Sequence, residues 1–236
     1  MAELTGEARE SLVFRAAKDR ASRMVSWAAV QRDIDALADA VHTAGVEPAA
    51  LVGIFQGGWL VAQCLADHFP GVPVLGATAR ADDAGDARVA LFGAADGLLT
   101  PVSPEPGSTV LLVDEVVDSG RTAAFYRRRL RDDLGVDARL VCLAADTRAE
   151  PAPEFAAQRM EALPALVLPW RVLRDFEQTA ACLLRAEPMT TAQIDERLRE
   201  FGHDIGPRVL EARLRSLAAR GLVRLTADGA WSRDGA

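Results

Sequence analysis

The chain has 236 residues, half of them hydrophobic and 26% charged, and its 27 Lys and Arg against 34 Asp and Glu give a formal net charge of −7. That balance suits one full α/β domain with a small appended module and excludes a disordered or fibrous chain, while the acidic excess excludes a surface that binds nucleic acid throughout. Cys64, Cys142 and Cys182 are odd in number and far apart, which indicates neither a disulfide framework nor a structural zinc site and points to a reducing cytoplasm.

Residues 1–20 mix charged with apolar side chains and lack the continuous apolar centre of a signal peptide. No run approaches the roughly 18 apolar residues needed to span a bilayer, so no membrane role is expected. From Ser26, a plausible N-cap, the residues Trp27, Val30, Ile34, Leu37, Ala38 and Val41 recur at helical spacing, with Gly45 just past the end. Leu51 to Phe55 is a short apolar run that ends at Gln56-Gly57-Gly58, after which Leu60, Cys64 and Leu65 resume helical spacing, the pattern of strand, glycine turn and helix. Val72 to Leu75 reads as a further strand. Residues 77–108, rich in Asp, Gly, Ala and Pro, read as one long loop, functional or mobile.

Next comes the unbroken run Val110 to Val113, the polar turn Asp114 to Gly120, and a helix from about Thr122 to Leu134 closed by Gly135. Arg139 to Ala144 and Leu166 to Leu168 supply two more strands. Strands alternating with helices predict an α/β fold with a mostly parallel sheet flanked by helices. After Phe176, Ala180, Leu183, Leu184, Ile194, Leu198, Leu210, Leu214 and Leu217 mark three helices, and Leu222 to Leu225 with Ala230-Trp231 read as a β-hairpin across Ala227-Asp228-Gly229. The expected division is residues 1–176 for the α/β domain and 177–236 for a winged-helix-like domain.

In an open parallel sheet, ligands bind at the carboxyl ends of strands, so the turn after Val113 is where a site belongs. Backbone N–H groups of Asp118-Ser119-Gly120-Arg121-Thr122, opening a helix, make a nest for a phosphate monoester. The adjacent carboxylates Asp114 and Glu115 suit a ligand that also brings hydroxyl donors or a magnesium ion, as a sugar phosphate does. A polar loop with helix-capping residues would explain any one of these acids alone, but not the whole array.

The stretch from Val110 to Thr122 closely resembles the phosphoribosyl pyrophosphate signature of type I phosphoribosyltransferases, and the resemblance runs from Ser26 to about Asp175. It is most similar to the hypoxanthine, guanine and xanthine branch. The resemblance implies a magnesium-dependent transfer of phosphoribosyl from phosphoribosyl pyrophosphate to a purine-like nitrogen acceptor, in a homodimer. It implies that Asp114 and Glu115 hold the ribose hydroxyls directly or through Mg2+, and that Ser119, Gly120, Arg121 and Thr122 bind the 5-phosphate. Asp118 falls at the position of the branch's general base, a sensible role because an acceptor nitrogen attacking the anomeric carbon must lose a proton.

Gln56-Gly57-Gly58 matches the family's pyrophosphate loop, with Arg174 as a further candidate for pyrophosphate, although the glycines alone fit a structural turn equally well. Trp170 fits the aromatic residue that covers the base, or a packed aromatic at a strand end. Where the branch carries a lysine against the exocyclic oxygen, this chain has Ala145-Asp146-Thr147-Arg148. Arg148 would donate to a carbonyl, whereas Asp146 would accept from an amino group. From Gln178 onward, nine Arg against eight Asp and Glu leave a net charge of only +1, a weak DNA footprint. A phosphoribosyl pyrophosphate-sensing transcriptional regulator that binds DNA through the tail is the alternative reading, and a structural or regulatory tail is favoured over it.

Overall fold

The computed structural model describes residues 22–81, 87–95, 98–101 and 103–233; the expectations for residues 1–20 lie outside them. Two compact units emerge, residues 30–163 and, separately, residues 22–29 with 164–233.

Residues 30–163 are built on a seven-stranded sheet of β2 (Ala50–Ile54), β3 (Val74–Ala81), β4 (Ala87–Ala95), β5 (Leu98–Pro101), β6 (Thr109–Val117), β7 (Asp137–Asp146) and β8 (Phe155–Met160). Their order across the sheet is β5-β4-β3-β2-β6-β7-β8. The central pairings β2 with β3, β2 with β6, β6 with β7 and β7 with β8 are parallel. Parallel strands covered on both faces read as unbroken apolar runs, and Leu51, Val52, Val110, Leu111, Leu112 and Val113 are all fully buried.

Helices α2 (Gly57–Ala66) and α3 (Arg121–Leu134) make the β2–β3 and β6–β7 crossovers. The two connections leave the centre in opposite directions, so right-handed crossovers put the helices on opposite faces of the sheet. Helix α3 buries Ala123, Tyr126 and Leu130 at helical spacing and ends in Gly135 with φ 68°, whose N–H donates to the Arg131 carbonyl. Helix α1 (Trp27–Thr43) begins where the Ala29 N–H donates to Ser26 Oγ at 3.2 Å, the expected N-cap. Its buried face, Val30, Ile34, Leu37, Ala38 and Val41, is the predicted one.

The expected loop over residues 77–108 is corrected by the structure. Strand β3 runs on to Ala81, β4 pairs with it antiparallel, and β5 pairs antiparallel with β4. These strands are made largely of Ala, Gly and Leu, and their backbone ladders carry the ribbon where β-branched side chains are few.

The second unit pairs β1 (Ser22–Met24) parallel to β9 (Ala165–Val167), followed by a 3-10 turn at Pro169–Arg171. Helices α4 (Phe176–Leu183), α5 (Thr191–Glu200) and α6 (Pro207–Ala219) precede the antiparallel hairpin of β10 (Val223–Leu225) and β11 (Trp231–Arg233). Thr190 and Gln193 form a capping box at the start of α5. Leu198, Leu210, Leu214, Leu217 and Trp231 share one buried cluster. No helix among the described residues is long and apolar enough to cross a membrane.

Candidate functional site

The chain leaves β2 toward β3 on one side and returns at β6 on the other, so the carboxyl ends of β2 and β6 flank the topological switch point of the sheet. Two loops meet there. The first, after β2, carries a cis Phe55–Gln56 peptide, an exposed Gln56 at the N-cap position of α2, and buried Gly57 and Gly58 in the first helical turn. The second is the turn from Asp118 to Gly120 between β6 and α3.

The loops touch through side chain and backbone. A Cβ added to Gly57 would stand 1.7 Å from Glu115 Oε2, so the buried Glu115 carboxylate lies directly on the Gly57 backbone. Gly58 sits against the Val113 carbonyl. Asp114, partly exposed, accepts at Oδ1 from the Glu115 N–H at 2.8 Å and lines a cleft of about 120 Å³ together with Val116 to Ala123. On the neighbouring strand β7, the buried Cys142 is the register partner of Asp114, its thiol pushed up to about 12 by burial and then by the Asp114 charge.

Gly120 adopts φ 81° at the N-cap of α3, and a Cβ there would come within 2.4 Å of the Glu150 carbonyl oxygen. The turn is tied down further where the Glu150 N–H donates to the Ser119 carbonyl at 3.2 Å. The first intrahelical bond is from the Ala124 N–H to the Gly120 carbonyl, so by helix geometry the amides of the preceding turn lack intrahelical acceptors and face the cleft as an anion nest. Asp118, Ser119, Arg121 and Thr122 are all exposed around it. Gly120→Ala combines a left-handed backbone with a clash against backbone, so it is expected to cost about 1–3 kcal/mol of stability. The urea midpoint should fall at unchanged slope; an unaltered midpoint would contradict this geometry.

The loop after β7 closes one side. Asp146, buried, accepts at Oδ1 from the Arg148 N–H and Nε, each at 2.9 Å, and at Oδ2 from Arg148 Nη2 at 2.8 Å and the Leu163 N–H at 3.2 Å. The Arg148 side chain, 72% exposed, is thereby held beside the site. Its guanidinium is pushed further up chiefly by the hydrogen bond and charge of Asp146, with smaller contributions from the charges of Asp118 and Glu161. The hydrogen bond from Arg148 likewise holds the Asp146 carboxyl well below the usual carboxylate range. Because the folded pKa is depressed, the stability this carboxylate contributes is complete above its unfolded pKa of about 3.9 and is lost as pH falls further. The stability gap between the native chain and Asp146→Asn should therefore shrink from pH 7 to pH 3 in urea unfolding, and a constant gap would remove the clamp.

Trp170 and Arg174 belong to the unit of residues 22–29 and 164–233. Trp170 is half-buried in the 3-10 turn with its ring 5.6 Å from that of Trp27, and Arg174 is exposed. Sequence reasoning did not find Glu150 or the Leu163 amide, which act through backbone atoms that no residue type advertises. The three histidines and three cysteines join no cluster of three or more metal-ligating side chains among the described residues.

The profile of the phosphoribosyl transferase domain family matches residues 22–163. A purine phosphoribosyltransferase from Pyrococcus horikoshii Ot3 superposes with a TM-score of 0.50 at 22% identity, over 64% of this chain and 93% of that one. The Helicobacter pylori xanthine-guanine-hypoxanthine phosphoribosyltransferase gives 0.52 at 21% identity, over 67% and 98%. A hypothetical protein from Neisseria gonorrhoeae with bound ppGpp gives 0.50 at 23% identity, over 70% and 97%. At such identities these structures share the fold. No curated protein matches the chain in sequence.

Proposed function

Because this chain belongs to the phosphoribosyl transferase domain family and is a phosphoribosyltransferase, we propose that it transfers phosphoribosyl from phosphoribosyl pyrophosphate to a 6-oxopurine with magnesium. The observation that carries this reading is the meeting of the Gln56-Gly57-Gly58 loop with the turn from Asp114 to Thr122 at the switch point, where Glu115 lies on Gly57. A phosphate nest on one side and a close-approach glycine loop on the other suit the two ends of a pyrophosphorylated sugar phosphate.

The roles proposed are those the family resemblance implies. Ser119, Gly120, Arg121 and Thr122 cradle the 5-phosphate, and Asp114 and Glu115 take the ribose hydroxyls. Two adjacent carboxylates fit a magnesium ion that keeps waters and completes its shell with substrate oxygens. Bound there, the ion would neutralise the leaving pyrophosphate. Asp118, exposed at the cleft, accepts the acceptor's proton as the nitrogen bonds to the anomeric carbon and the pyrophosphate C–O bond breaks. For Arg174 at the pyrophosphate and Trp170 at the base, the proposal rests on the family resemblance alone.

Support for a 6-oxo rather than a 6-amino acceptor comes from the Asp146 carboxylate, whose two oxygens already accept four bonds. That leaves Arg148, held by Asp146, as the polar group we assign to the acceptor's edge, and since a guanidinium only donates it would select a carbonyl. A homodimer in the cytoplasm is the assembly and setting proposed. The order of three helices and a hairpin supports reading residues 177–236 as a winged-helix-like domain, in a structural or regulatory role.

The test is pyrophosphate release from phosphoribosyl pyrophosphate with Mg2+, screened across hypoxanthine, guanine, xanthine and adenine. Release with one of the 6-oxopurines establishes the reading; release with adenine alone overturns the acceptor class. Silence with tight substrate binding would favour the ligand-sensing regulator.

A further inference from the structure

Within the unit of residues 22–29 and 164–233 lies a cavity of about 970 Å³, at the upper end of the roughly 300–1,000 Å³ typical of small-molecule pockets. None of its lining residues belongs to the loops described above. Arg23, Arg185 and Arg197 contribute three positive charges and Glu187 one negative, so the lining carries a net +2 in a chain of net charge −7. Leu183, Met189 and Phe201 supply apolar surface.

Arg185 and Arg197 line the same cavity as Cys182. Arg197 lies over the Phe201 ring, 5.5 Å from its centroid, with its Nη1 paired to Glu200. The thiol of the half-buried Cys182 is pushed up mainly by burial and drawn back first by a backbone hydrogen bond at Met24 and then by the charges of Arg185 and Arg197. Like charges gathered around an apolar hollow repel one another, and an anion bound among them relieves that repulsion while covering the apolar wall.

We propose that this cavity binds a small amphipathic anion: an aromatic or aliphatic body seated against Leu183, Met189 and Phe201, with its carboxylate, sulfonate or phosphate between Arg185 and Arg197 beside Cys182. The combination is specific to that chemistry. A purely polar anion would leave the apolar wall wet, and a neutral apolar ligand would leave the net +2 of the lining uncompensated.

Anilinonaphthalene sulfonate, an aromatic anion, is the probe, titrated into the full chain by fluorescence. Saturable binding is expected, weakened at least about tenfold in Arg185→Glu/Arg197→Glu, the loss of roughly one charge-assisted contact. Arg185→Lys should retain it. Saturating probe should also slow iodoacetamide alkylation of Cys182, read by peptide mass spectrometry alongside Cys64. Arg185 is exposed, so Arg185→Glu alone carries the test if the double variant does not fold. Binding unchanged by charge reversal, an unaltered alkylation rate at Cys182, or stoichiometric displacement of the probe by phosphoribosyl pyrophosphate would each overturn the proposal.

Discussion

Asp118→Asn is expected to lower the single-turnover rate of phosphoribosyl transfer by about 10²–10⁴-fold, the usual worth of a positioned general base, while phosphoribosyl pyrophosphate binding changes little. The side chain stands exposed at the mouth of the cleft, within the electrostatic reach of Arg148. In the proposed reaction it meets the acceptor, while Ser119, Gly120, Arg121 and Thr122 grip the phosphate. Asn keeps the size and an accepting oxygen but takes no proton, which separates a base from a binding contact. If Asp118→Asn loses affinity for phosphoribosyl pyrophosphate in proportion to its rate, Asp118 is a ligand of the sugar. A full rate would remove it from the chemistry.

The parts of this site that were legible in the sequence are those where residue type dictates backbone behaviour. Val110 to Val113 announces a doubly covered strand because a parallel strand has no solvent face to alternate toward. Ser119-Gly120-Arg121-Thr122 announces a helix-opening anion nest, and Gly120 takes the left-handed φ of 81° that such a turn uses. The β4–β5 ribbon was not legible, because Ala87 to Ala95 holds its place by ladder hydrogen bonds to β3 and its side chains advertise little. Nor was the engagement of Asp146. Its carboxylate read as a group open to a ligand, yet it is closed by an arginine two residues on and by a backbone amide from Leu163, seventeen residues away. The first partner was visible in the sequence as a charge; the second depends on how the chain returns past β8.

Gly57→Ala tests the junction on which the site depends. By intrinsic propensity the change should stabilise the first turn of α2, since Ala is better than Gly in a helix by roughly 1 kcal/mol. The geometry reverses the sign, because the new Cβ would stand 1.7 Å from Glu115 Oε2 and 2.2 Å from its Cδ. The carboxylate must swing off a position where it is only 8% exposed, and overpacking of this kind typically costs about 1–3 kcal/mol. Activity should fall by about 10²-fold, as when a binding group is misplaced by around 1 Å. The double variant Gly57→Ala/Glu115→Ala separates the two effects. With the carboxylate gone the clash disappears, so stability should recover relative to Gly57→Ala alone, with a coupling of about 0.5–3 kcal/mol. Activity should stay low, because the group proposed to hold the ribose hydroxyls is missing. Strictly additive stabilities would show that Glu115 does not rest on Gly57; recovery of both stability and activity would show that Glu115 does not touch the substrate.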